Sequence, residues 1–118
     1  MYTAGSLALA ALEVLVHVDY DLVPPDLVAV PIDVPRGIRL EEIRLATLPP
    51  NWRSIPAPEQ LQKLGTTWVQ RATSVLLRVP SAVILEEHNY LLNPVHPACR
   101  RLKIGRPRPF TFDPRLFK

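Results

Sequence analysis

The sequence predicts an α+β fold in one domain over residues 1–118, and three observations carry that reading. Two stretches have helical periodicity, several short runs are β-branched with a period of two, and fourteen prolines argue against long uninterrupted helices after the first. A chain of 118 residues has room for one core. With 47% hydrophobic and 21% charged residues it lies far from the low-hydrophobicity, high-charge regime of disordered segments.

The first helix is predicted over Ser6 to Val18, where Leu, Ala and Val cover most of the circumference, so burial on most sides is expected. Asp19 and Asp21 follow where it should end. The apolar run Leu7 to Val18 is no signal peptide, since no Lys or Arg precedes it and Glu13 and His17 interrupt it. It is also shorter than the ~20 residues a membrane span needs.

Val28, Val30, Ile32 and Val34 alternate with Leu27, Ala29, Pro31 and Asp33, which predicts a strand that Pro31 makes an edge strand or bulges. A second strand segment is read from Ile38, Leu40, Ile43 and Leu45, closed by Leu48-Pro49-Pro50. Pro58 to Thr73 reads as a helix that Gly65 could break in two. Val75 to Val79 and Ala82 to Leu85 read as strands joined at Pro80-Ser81. Short strands at Leu102 to Ile104 and Phe110 to Phe112 end the chain.

The net charge of +3 conceals an asymmetry. Residues 100–118 hold seven of the fourteen basic side chains (Arg100, Arg101, Lys103, Arg106, Arg108, Arg115, Lys118) against one acid, Asp113. Such an end could meet nucleic acid, a phosphorylated ligand or an acidic partner. Helix-turn-helix and RNA-binding signatures are absent, so direct nucleic-acid binding is not expected. The four glycines (Gly5, Gly37, Gly65, Gly105) form no phosphate-binding loop. The single cysteine, Cys99, excludes an internal disulfide and fits a reducing compartment such as the cytoplasm.

Several polar residues could carry chemistry. Ser6, Glu13 and His17 fall on one narrow arc of the first helix, a polar stripe that either faces water, pairs with an arginine or is used. Ser81 follows Pro80 at a strand junction, either as a turn serine or with its hydroxyl pointing into a cleft. It has no Gly-x-Ser-x-Gly elbow, which argues against a hydrolase nucleophile. His88, His96 and Cys99 lack a second close ligand pair, so no metal site is expected. Asn89 and Asn93 flank Tyr90-Leu91-Leu92, where side-chain amides often hold a loop.

Four motifs in this order resemble one family. They are Tyr2-Thr3-Ala4-Gly5-Ser6-Leu7-Ala8-Leu9-Ala10-Ala11-Leu12-Glu13, Val79-Pro80-Ser81-Ala82, Asn89-Tyr90-Leu91-Leu92-Asn93-Pro94-Val95-His96-Pro97, and Phe112-Asp113-Pro114-Arg115-Leu116. Across nearly the whole chain this resembles the RES-domain family of bacterial toxins.

That resemblance implies a mixed β-sheet with flanking helices, similar to the ADP-ribosyltransferase fold, and an Xre-type helix-turn-helix antitoxin as partner. It implies NAD as substrate, with no permanently bound cofactor, and cleavage of the nicotinamide–ribose bond by phosphorolysis, hydrolysis or ADP-ribosyl transfer. The family's glutamate and serine fall on Glu13 and Ser81, and its active-site tyrosine on Tyr2, eleven residues ahead of the glutamate. Glu13 would stabilise the oxocarbenium-like charge, Tyr2 would stack on nicotinamide or ribose, and Ser81 would hydrogen-bond the ribose or amide. His17 would orient Glu13 or touch the ligand, and Asn89 and Asn93 are carried as further NAD contacts. The family's leading segment, a Gly-Arg-x-Asn-like stretch whose arginines contact the NAD phosphates, has no match ahead of Tyr2. The expectation is a sheet short of one or two N-terminal strands and a chain that does not turn over NAD, the alternatives being a fragment completed by another polypeptide, an active variant in which arginines of the basic end take over, and a non-catalytic module that binds the antitoxin.

Overall fold

The computed structural model describes residues 1–117. Ten helices and strands run in the order β1 (Tyr2–Ala4), α1 (Leu7–His17), β2 (Val28–Ala29), β3 (Ile32–Asp33), β4 (Leu40–Glu42), α2 (Glu59–Arg71), β5 (Leu76–Pro80), β6 (His88–Leu92), β7 (Lys103–Ile104) and β8 (Arg108–Pro109), with short 3₁₀ turns between some of them. The fold is α+β. Its main sheet has the order β1-β6-β5-β4 and is mixed, for β4 and β5 run parallel while the other pairs are antiparallel. A parallel pair needs a crossover, and α2 supplies it.

Ser6 caps α1, its Oγ accepting from Leu9 N at 3.1 Å. Burial is narrower than the apolar composition predicts. Leu9 alone is fully buried, while Leu7 and Val16 are exposed. The helix packs beside β1, the edge of the sheet, so one strip of its surface meets protein. Gly65 does not break α2, which runs unbroken to Ala72 at its C-cap. Trp68 is its buried anchor.

The alternating run from Val28 is not one strand. It splits around Pro31, which has no N–H for a ladder, and changes partner there. Val28–Ala29 pairs with Arg108–Pro109, and Ile32–Asp33 with Lys103–Ile104. The last strand therefore lies at Arg108–Pro109, two residues ahead of the position read from Phe110 to Phe112. Ile43 and Leu45 also leave the strand state, since the chain turns into a 3₁₀ helix at Leu45–Thr47.

Ala82 to Leu85 form bends and a turn, not a strand. Ser81 Oγ accepts from Val83 N and Ile84 N, both at 3.1 Å, and so takes the N–H groups a ladder would need. Two strands escaped the sequence patterns: β1, of three residues, and β6, whose Asn89 is fully buried between Ala4 and Val79. Val75, Leu76, Leu92 and Leu102 form the core, with Ile32, Ile38, Ala98 and Cys99 packed against it. The radius of gyration is 15.5 Å, against about 13.5 Å for a compact chain of this length. Residues of the two small ribbons line a cleft beside the main sheet.

Candidate functional site

The cleft has a volume of about 770 Å³, within the range of small-molecule sites. One wall is α1, which presents Leu7, Ala10, Ala11 and Val14, the i, i+3, i+4, i+7 strip of a helix. The main sheet contributes Tyr90, Leu76 and Leu92, and the opposite wall is the β2–β3 segment with the chain around β8. Among the described residues lining it, Arg108 is the only charged side chain.

Tyr2 lines this cleft and also meets Glu13. Its hydroxyl is pushed up to about 12, first by burial, then by the negative charge of Glu13 and the pull of that carboxylate on the hydroxyl proton. No hydrogen bond of good geometry joins the two side chains. Glu13 Oε1 is buried and makes no hydrogen bond to a described residue. A buried carboxylate oxygen without a donor is costly, which is the usual mark of a group held for a ligand or a water. Tyr2 remains 57% exposed, so the pair can be reached from solvent.

The other residues singled out from the sequence are distributed differently. His17 stands exposed in the last turn of α1, one turn beyond Glu13, where a basic side chain suits the helix dipole. Ser81 is fully buried, and both of its accepting positions are taken by Val83 and Ile84. Asn89 Nδ2 donates to Thr3 O at 3.2 Å and so ties β6 to β1, while its Oδ1 is a second buried atom without a partner. Asn93 holds the turn after β6, accepting from Val95 N at 3.3 Å and donating to Val69 O at 3.5 Å. The structure thus brings Tyr2 and Glu13 together, and neither Ser81 nor Asn93 lines the cleft they border. His96 Nδ1 accepts from Ala98 N at 3.0 Å, a capping role for the His-Pro-Ala-Cys spacing.

The sequence patterns missed the opposite wall. Arg108, Phe110 and Phe112 all line the cleft, and the signal for it is their period of two, obscured because Arg108 reads most simply as part of a basic tail. Tyr90 was likewise passed over inside a segment read as a loop. No helix among the described residues is long and apolar enough to cross a membrane.

Comparison with protein families matches residues 1–113 to the RES domain. Among curated proteins, the chain is 36% identical to a protein of a Sphingobium strain named Prs ADP-ribosylating toxin, over 100% of this chain and 74% of that protein. It is 36% identical to a protein of Yersinia enterocolitica named Toxin Res, covering 98% of this chain and 76% of the relative. A Toxin Res of Pseudomonas putida is 38% identical, over 99% and 79% of the two chains.

Proposed function

This chain belongs to the RES-domain family, and on that premise we propose that it acts on NAD, cleaving the nicotinamide–ribose bond and passing ADP-ribose to an acceptor. The observation that carries the proposal is the Tyr2–Glu13 pair at the edge of a largely apolar cleft. A similar protein bearing the name ADP-ribosylating toxin supports the same chemistry.

In this reading the bond from ribose C1′ to the pyridinium nitrogen breaks, and nicotinamide leaves with the electron pair. Positive charge builds on the ribose, and the Glu13 carboxylate stabilises it. The partner-free Oε1 is suited to that charge. Tyr2 supplies an aromatic face for nicotinamide or ribose and stays protonated at neutral pH. Water, phosphate or a protein side chain then attacks C1′ and loses its proton. His17, exposed one turn beyond Glu13, contacts the ligand in this reading. Asn89 keeps β1, and with it Tyr2, in register. Ser81 keeps only its own proton for donation, so its part is to fix the turn after β5, and Asn93 does the same after β6. The cytoplasm, where NAD is available, is the compartment of the reaction.

NAD consumption by the purified chain, with and without phosphate, beside Glu13→Gln tests this. The expected result is turnover that falls about a hundredfold or more in Glu13→Gln. Turnover unaffected by that change, or none from a folded chain, would sink the proposal. A second reading, capture by an Xre-type antitoxin, draws on the exposed Val16, Tyr20 and Leu22 at and beyond the end of α1. Copurification with such a protein, lost in Leu22→Glu, tests it.

A further inference from the structure

Resting on the reading of an NAD-binding cleft, we propose that Arg108 is the anion anchor of that cleft and binds the pyrophosphate of the dinucleotide. Every other side chain lining the cleft among the described residues is uncharged. A ligand that buries itself there while carrying negative charge has one cation among the described residues to meet.

The position of Arg108 is fixed by backbone pairing. It stands opposite Ala29 in the β2–β8 ribbon, and Phe110 N donates to Leu27 O at 2.9 Å just beyond it. Side chains two apart on an extended chain share a face, so Arg108, Phe110 and Phe112 enter the cleft together. Phe110 and Phe112 meet edge to face at 5.1 Å. This gives an aromatic surface for a planar base next to a guanidinium for phosphate, the two chemistries that alternate along a dinucleotide.

Arg108 is not the only arginine without a side-chain partner, but it is the one arginine among the described residues that lines the cleft. Arg115 is held by Asp113 at 2.7 Å and Arg78 by Glu42 at 2.7 Å, while Arg101 donates to Arg36 O at 3.4 Å. Beyond the backbone pairing of its strand, the Arg108 side chain makes no hydrogen bond or ion pair with a described residue, so its guanidinium donors are open to a ligand. Tyr2 lines the cleft from β1, next to Glu13, and Arg108 lines it from the β2–β8 ribbon. A dinucleotide held at both would have its nicotinamide ribose at the carboxylate and its phosphates at the guanidinium.

The test uses two probes that differ in the pyrophosphate: ADP-ribose, which keeps it and has no scissile bond, and nicotinamide riboside, which lacks it and is read from the initial heats, before any cleavage of its own C1′–nitrogen bond. Calorimetric binding is measured for the full chain, Arg108→Gln and Arg108→Lys, with NAD consumption followed in parallel. Arg108→Gln is expected to weaken ADP-ribose about tenfold to a hundredfold, Arg108→Lys less, and neither to change nicotinamide riboside. Equal binding of ADP-ribose by the parent chain and Arg108→Gln overturns the assignment while NAD turnover leaves the NAD reading standing. Parallel weakening of both probes also overturns it, since that is the mark of a damaged fold. A parent chain that neither binds ADP-ribose nor consumes NAD removes both proposals.

Discussion

Tyr2, on the edge strand, faces Glu13, on the first helix, and the carboxylate helps hold the tyrosine hydroxyl up at about 12. An absorbance titration should therefore show one phenol ionising well above the ordinary value of 10.0. Glu13→Gln removes the charge but leaves the burial, so that ionisation moves part of the way back. The sign for stability follows from linkage. The folded chain keeps the Tyr2 proton between 10 and about 12 where the unfolded chain has released it. The contribution is complete below pH 10 and is lost as pH rises toward 12. Tyr2→Phe should flatten the alkaline fall in stability, and an unchanged fall would refute the pairing.

Ser81→Ala should destabilise the chain by about 1–2 kcal/mol, because two backbone N–H groups lose their acceptor in a fully buried position. Urea denaturation measures it. Equal midpoints for the two chains would mean that the turn holds itself.

A relay joins α2 to the sheet. Trp68 Nε1 donates to Ser74 Oγ at 2.9 Å, and Ser74 Oγ in turn donates to Glu41, which also receives the Thr73 hydroxyl at 2.8 Å. The Ser74 and Thr73 hydroxyls hold the Glu41 carboxyl below the usual range. That contribution is present above the unfolded carboxylate's value and is lost as pH falls through the lowered one. Ser74→Ala leaves a buried indole N–H unpaired and should cost about 1–3 kcal/mol. It should also weaken the acid dependence of unfolding, whereas a loss of the same size at every pH would remove Glu41 from the relay.

Gly105→Ala should loosen the β3–β7 ribbon. An added Cβ would lie 2.6 Å from Pro31 Cγ and 3.3 Å from Pro31 O, and the proline ring has little freedom to yield. The expected loss is about 1–3 kcal/mol, read as a lower thermal midpoint. No change would show that the ribbon shifts freely against Pro31.

Both helices were legible in the sequence because their information is local. Leu9 and Trp68 sit in periodic surroundings, and Ser6 and Pro58 stand at the helix starts. The β5 run was legible for the same reason. β6 was not, since a strand with a buried Asn is improbable until Thr3, 86 residues away, offers its carbonyl. At the cleft, Glu13 could be singled out from the polar arc of α1 and Tyr2 only through the family resemblance, while Arg108 could not be told from its basic neighbours.

The sequence by itself determined the family, the α+β class and the two helices, which depend on residue type, motif order and near-neighbour spacing. Only the tertiary structure decided which arginine reaches the cleft, that Ser81 spends its lone pairs on a turn, and that one run of alternating residues serves two ribbons. Those outcomes depend on pairings between residues far apart in the chain, such as Ala29 with Arg108. Local periodicity says which face a side chain is on, but not what stands across from it.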